Sequence, residues 1–372
     1  MDKNILENIY RTVIKNLQKP VLQDAIVHKV ICICHCEKNR APIRFLMAGL
    51  LAKIENASID LHKPYSSLGK NSYKGRAYDE EAVQPFIHKY NLPCNSTTAY
   101  LTPAFRTIEQ PLTKDFFNKC RPKEVYHDMM DVVEYVEKHP EQAESILSEI
   151  VRCLLIVKLD NAERLKQLQR TLAIGDKSME LSSEEITILL RQHLQCPGSS
   201  RLPVLIVASA YDAVKNLVGE SYKPLFAHNA ADKQTGALGD IEIVISDENQ
   251  LVTCYEMKKK RVTIDDISVV KDKICNSLNE KIDNYIIITT DVITEEVANF
   301  AAAFYRETGV EIVVLDCIGF INHFLHFFHR YRMKFLNHYQ RLVLEEPDSS
   351  VSQPLKEAFL NLRRVAEIDR NN

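Results

Sequence analysis

The sequence predicts an α/β protein in which a mainly helical N-terminal domain precedes a central mixed β-sheet flanked by helices. Three observations carry this expectation. Apolar residues recur at helical spacing through the first half of the chain. Residues 239–258 alternate apolar and polar in the manner of a β-hairpin. Two short apolar runs, 285–290 (YIIITT) and 310–315, each follow a helical stretch and read as buried strands. The expected divisions are a helical domain at 1–195, a sheet domain at 196–345, and a polar tail at 346–372 with one short helix near 354–366.

The 372 residues suffice for two domains with sizeable cores. With 45% hydrophobic and 26% charged residues and only 10 Gly and 14 Pro, neither disorder nor a fibrous repeat is indicated. A formal net charge of −3 excludes bulk basicity as a route to nucleic acid, so any such surface requires local segregation of charge. The ten cysteines form no C-x-x-C pair and follow no framework spacing, which suits reduced, buried thiols. No apolar run reaches the length of a membrane span, and Met-Asp-Lys-Asn leads into an amphipathic pattern and not the apolar core of a signal peptide. A cytoplasmic location with no membrane partner is expected.

In chain order, Ile5, Ile9, Val13 and Leu17 form a helical stripe that stops at Pro20, and further helices are expected at 21–36 and 39–54. Cys32, Cys34 and Cys36 lie two apart, so on a helix they diverge and lack the spacing of a zinc site; packed thiols are the reading. Residues 62–78 (HKPYSSLGKNSYKGRAY) carry Lys63, Lys70, Lys74 and Arg76, three tyrosines, two glycines and no acid. Cations interleaved with hydroxyls and small residues suit phosphate contact, and the stretch is a candidate DNA-contacting loop. Residues 84–106 follow with Asn95, Thr97 and Arg106 as candidate groove contacts. Helical periodicity returns at 116–136 and 141–170, and Ser182-Ser183-Glu184-Glu185 marks another helix start.

The hexad 195–200 (QCPGSS) is the most linker-like stretch and sets the expected boundary. Beyond it come an apolar helix at 202–218, a strand near 222–227, the hairpin, a helix capped by Thr263 or Asp265, the strand at 285–290, a helix from Thr294 to Gly309, and the strand at 310–315. A long helix is expected from Cys317 to Tyr339, its His323, His326, His329 and His338 reading as polar tips of a packed aromatic face, not as metal ligands.

Chemistry concentrates in the hairpin. If its turn centres near Glu248, Asp240 falls across from Glu256, and the strand period places Lys258 on the same face while Ile241, Ile243, Tyr255 and Met257 point into a core. Two facing carboxylates call for a cation, and oxygen ligation with open positions suits Mg²⁺, which retains waters and binds phosphate oxygens. Hydrolysis of a phosphodiester is the chemistry this favours.

Asp240 followed by Glu256-Met257-Lys258 resembles the signature of the PD-(D/E)xK nucleases, with Gly239 standing where the motif's proline often does. With the 265–266 helix start, the stretch around Arg76-Ala77-Tyr78 and the order of elements, the chain resembles the SacI family of type II restriction endonucleases. The resemblance implies a PD-(D/E)xK core and Mg²⁺-dependent cleavage of double-stranded DNA at a short, palindromic site. It further implies a homodimer and a cognate DNA methyltransferase as a separate chain. It implies Asp240, Glu256 and the main chain of Met257 as metal ligands, and Lys258 as the group that orients the attacking water. Glu242, two residues beyond Asp240, is a candidate supporting or second-metal ligand, and Lys259, Lys260 and Arg261, with Lys271 and Lys273, are candidate phosphate contacts. The alternatives are a modification-dependent, repair or mobile-element nuclease with the same core, and a non-catalytic DNA-binding or scaffold protein.

Overall fold

The computed structural model describes residues 4–22, 25–95, 105, 108–173, 180–225, 237–246, 250–276 and 282–368. The chain divides into two compact units, Met1–Arg164 and Leu165–Asn372.

The first unit is helical: α1 (Asn4–Lys15), α2 (Ile26–His35), α3 (Ala41–Glu55), α4 (Gly75–Tyr78), α5 (Gln84–Tyr90), α6 (Lys123–Lys138) and most of α7 (Ala143–Ala173). Leu6, Ile9 and Val13 of α1, three and four apart, are its buried face. Helix α3 is buried from Ala41 to Lys53, so its one guanidinium, Arg44, needs an internal partner. That partner is Asp79, which accepts from Nε and Nη2 at 2.7 and 2.5 Å. Phe45 stacks on Phe105 with ring centres 4.9 Å apart, and Phe117 stacks on Tyr126 at 5.0 Å, closing an aromatic centre.

The second unit holds α8 (Ser183–Gln195), α9 (Leu202–Val218), β1 (Glu220–Tyr222), β2 (Ile241–Ile245), β3 (Leu251–Lys258), α10 (Ile264–Asn276), β4 (Asn284–Thr289), α11 (Glu295–Ala303), α12 (Tyr305–Thr308), β5 (Glu311–Asp316), α13 (Cys317–Phe327), α14 (Arg332–Glu345) and α15 (Gln353–Ile368). The five strands form one mixed sheet in chain order, antiparallel from β1 to β3 and parallel from β3 to β5. One face, with Ile241, Ile243, Tyr255 and Ile288, packs on α8, α9, α13, α14 and α15. The other, with Cys254, Tyr285, Ile287 and Ile312, packs on α10 and α11. The α/β expectation therefore holds, with helices on both faces of a mixed sheet.

Three expectations are corrected. The hexad 195–200 is not a boundary: Gly198 at φ 79° turns the chain between α8 and α9, whose buried faces share one core, and the division between units falls inside α7. The helix expected near 354–366 is present as α15, but it is no loose tail, since its Leu355, Phe359 and Leu360 lie in that core. The helix expected at 317–339 is interrupted at Phe328 and resumes as α14 after a short 3₁₀ turn. Ser182 caps α8 through a reciprocal pair with Glu185, as its sequence suggests. No helix among the described residues is long and apolar enough to cross a membrane.

His193 of α8 ties this core together. Leu355 O can only accept, so Nε2 carries the proton donated to it at 3.0 Å, and Nδ1 accepts from the Tyr339 hydroxyl at 2.9 Å. Burial, against a smaller opposing effect of the Leu355 bond, brings its pKa down to about 4. The unfolded chain therefore takes up this proton first on acidification. Stability is expected to fall by roughly 3 kcal/mol as pH drops from about 6.5 to about 4. Denaturant melts of wild type and His193→Gln across that range would check it, the variant showing a shallower acid slope; parallel slopes would assign the loss to other groups.

Candidate active site

Strand β2 pairs with β3 as Ile241↔Tyr255, Glu242↔Cys254 and Ile243↔Thr253, the register in which Asp240 lies opposite Glu256. One residue further the register shifts, Val244 facing Leu251, so β3 carries an extra residue near the turn and its site end keeps the alternation. Ile241, Ile243, Tyr255 and Met257 face the α9 side. Glu256 and Lys258 consequently face the α10 side, with Tyr285 beside them on β4.

Asp240 is exposed at the head of β2, and its Oδ2 accepts from Met257 N at 2.7 Å, which ties the two strands where the ladder ends. Gly239 lets this happen. A Cβ there would sit 2.5 Å from Tyr255 O, so any side chain, proline's included, would push the Asp240 segment off β3. Glu256 is ringed by donors: Lys258 Nζ at 3.4 Å from Oε1, and Lys273 Nζ at 3.7 Å and the Tyr285 hydroxyl at 3.1 Å from Oε2. Lys258 also lies 3.5 Å from Asp266 Oδ1. Asp266 is fixed by a reciprocal cap with Thr263, whose N and Oγ1 donate to Oδ2 at 3.0 and 2.9 Å. Although burial alone would raise its pKa, the Thr263 bonds and the Lys258 ammonium hold it below the ordinary carboxylate value.

Glu242 is buried behind Asp240. Its Oε2 pairs with Lys223 at 2.9 Å and its Oε1 accepts from Leu238 N at 2.9 Å. Oε1 thus holds the segment that delivers Asp240, while Oε2 ties to Lys223 just past β1, which is a supporting position. Tyr285 acts on the same segment, its hydroxyl donating to Leu238 O at 2.8 Å as well as to Glu256. Burial and then the Glu256 charge push this hydroxyl far above its ordinary pKa, so it stays a donor. Tyr285→Phe removes that shared donor and leaves Leu238 O without it. A loss of about 1–2 kcal/mol is expected in denaturant unfolding of the second unit; an unchanged midpoint would show that the hydroxyl carries no load. Sequence alone does not disclose Tyr285, because its place depends on the parallel β3–β4 register. The Thr263-x-x-Asp266 cap is a visible signal, but its contact with Lys258 is not.

The candidate phosphate contacts fare differently. Lys259, Lys260 and Arg261 are exposed immediately after the site, and the chain there is pinned to β4 by Thr290 and Thr289, which donate to Lys259 O and Lys260 O at 3.1 and 3.2 Å. Lys273 turns to Glu256, whereas Lys271 is committed to an ion pair with Glu307. In the first unit Lys63 is 3.2 Å from Asp60 and Arg76 is 2.7 Å from Glu80, so two of the four cations of residues 62–78 have acidic neighbours just outside the stretch. Lys70 and Lys74 are exposed, with no ion pair among the described residues. Asn95 offers its carbonyl to Arg44 Nη1 at 2.8 Å. Thr97 and Arg106 lie outside the described residues. Among the described residues no group of three or more His, Cys, Asp or Glu side chains could hold a metal ion. A site of two carboxylates completed by main-chain and water oxygens contains fewer than three such side chains.

Neither the models of known protein families nor the curated proteins contain a match to this chain.

Proposed function

We propose that the protein is a Mg²⁺-dependent endonuclease that hydrolyses double-stranded DNA at a short, palindromic site, a type II restriction enzyme of the SacI kind. What supports the reading is that Asp240, bonded to Met257 N, stands at the end of the β2–β3 pair where Glu256 and Lys258 lie 3.4 Å apart. The order helix, three antiparallel strands, helix and parallel strand, from α9 to β4, is that expected of a PD-(D/E)xK core and supports it. The donor set, two carboxylates with the Met257 main chain, fits a hard cation that keeps most of its waters.

Bound there, Mg²⁺ would supply a more acidic water and charge neutralisation at the scissile phosphate. Asp240 and Glu256 would hold it. Lys258, a compact charge between Glu256 and Asp266, orients the attacking water and offsets charge developing on the phosphorus. Tyr285 and Glu242 keep the Asp240 segment in register with Glu256. Lys259, Lys260 and Arg261 grip neighbouring phosphates, and Lys70, Lys74 and Asn95 of the first unit are further proposed DNA contacts. A palindromic site is matched by a two-fold protein, so a homodimer is proposed, with a methyltransferase protecting host DNA.

The test is a digest of unmethylated phage DNA by the purified full chain with Mg²⁺, beside an Asp240→Ala variant and an EDTA control. Discrete fragments from wild type alone are expected, and their sequenced ends would give the site. Absence of cleavage with Mg²⁺ or Mn²⁺, on unmodified and methylated DNA alike, would overturn the reading in favour of a binding protein.

A further inference from the structure

On the sheet face opposite the candidate active site, a cavity of about 290 Å³ opens between α9, β1, β3 and α13. Six of its lining residues are Tyr or Phe, and no lysine or arginine lines it. Tyr211 and Tyr255 meet edge-on with hydroxyls 3.1 Å apart, and Phe320 stands edge-on to Tyr255 at 6.4 Å. At the mouth, Phe327 is 72% exposed and stacks on His323. Among the described residues the acid that lines it is Glu220, at the start of β1, and it has no ion pair there.

A solitary carboxylate among aromatic side chains is an unbalanced arrangement. Burial raises the Glu220 pKa, and its charge in turn bears on the Tyr211 and Tyr255 hydroxyls. An anion would worsen this and a neutral apolar group would leave it. A hard metal ion would find one carboxylate where it needs several oxygens. A weakly hydrated organic cation resolves it, because the negative faces of the rings and the carboxylate act in the same sense. At about 290 Å³ the volume falls just below the roughly 300–1,000 Å³ typical of ligand pockets, so the occupant is small.

We infer that this cavity is a binding site for a small quaternary ammonium ion, held by cation–π contact with Tyr211, Tyr255 and Phe327 and by the charge of Glu220. The site is independent of the nuclease reading, and its test needs no DNA. The full chain is titrated at pH 8 by calorimetry with choline and, separately, with 3,3-dimethylbutan-1-ol, its neutral counterpart of the same shape. Choline is expected to bind at least about tenfold more tightly than the alcohol, and Glu220→Gln to lower choline affinity by about tenfold. Phe327→Leu, at an exposed position where folding is not at stake, is expected to weaken choline severalfold and leave the alcohol unchanged. Equal binding of the two probes, no choline binding, or choline affinity unmoved in both variants that melt like wild type would overturn the inference.

Discussion

Asparagine in place of Asp240 is expected to lower Mg²⁺-dependent DNA cleavage by about 10³-fold or more while leaving the fold intact. On the proposed reading one carboxylate performs two roles, and the substitution separates them. Its Oδ2 accepts the 2.7 Å bond from Met257 N that ties the end of β2 to β3, and an asparagine oxygen can accept the same bond. What is lost is the charge, and with it one of the two anionic ligands proposed for the metal. Removing transition-state charge stabilisation worth about 4 kcal/mol corresponds to roughly that factor in rate. DNA binding is expected to move in the opposite direction, because a negative charge has been removed beside the proposed phosphate contacts Lys259, Lys260 and Arg261. Single-turnover cleavage, a melt and a DNA-binding titration of the same preparation would therefore show a collapsed rate with unchanged melting and equal or tighter binding. Cleavage within severalfold of wild type would remove Asp240 from the site, and with it the nuclease reading. A rate loss accompanied by a lowered melt would instead indicate that the Met257 bond had failed, which Asp240→Glu or a shifted Mg²⁺ dependence would then be used to separate.

What the sequence discloses of this site follows from short-range physics. Alternation along 240–245 and 251–258 sets which side chains share a face, so Glu256 and Lys258 are legible as neighbours, and a turn centred near Glu248 pairs Ile241 with Tyr255 as observed. The extra residue in β3 is not legible: next to the turn Val244 faces Leu251, a pairing that if continued would set Asp240 opposite Tyr255, and the extra residue restores Ile241 to Tyr255. The supports are not legible either: Lys223 reaches Glu242, Tyr285 reaches Leu238, and Asp266 reaches Lys258 across strand and helix packings that no local pattern encodes. The same limit explains the misplaced boundary. Pro197-Gly198-Ser199 announces a turn in any context, and only the apolar faces of α8 and α9, read against a core they share, show that the turn lies inside a unit. In α15, Leu355, Phe359 and Leu360 are spaced as one helical face, but the charged residues around them give the segment the composition of a tail.

The largest stability effect is expected in the first unit. Arg44 is 1% exposed, and its guanidinium is satisfied by Asp79 through two bonds and by the carbonyl of Asn95 through a third. Asp79→Ala strands that charge inside α3, and truncating one partner of a buried pair costs about 3–5 kcal/mol. The double substitution Arg44→Met with Asp79→Leu removes both charges and fills the space with apolar volume, so most of that loss should be recovered. Because the chain has two units, a single global melt would blend their transitions, and hydrogen exchange of the α3 amides is the appropriate readout. Opening of α3 should become easier by about the stated amount in the single variant and return towards wild type in the double. A single variant within about 1 kcal/mol of wild type would mean that Arg44 finds another acceptor or water. The double variant also tests function, since it lacks the donor that fixes the Asn95 carbonyl at the entry to residues 95–106. If that segment reads DNA, the double variant will cleave its site more slowly while its α3 amides exchange like those of wild type; unchanged cleavage would move the recognition surface elsewhere.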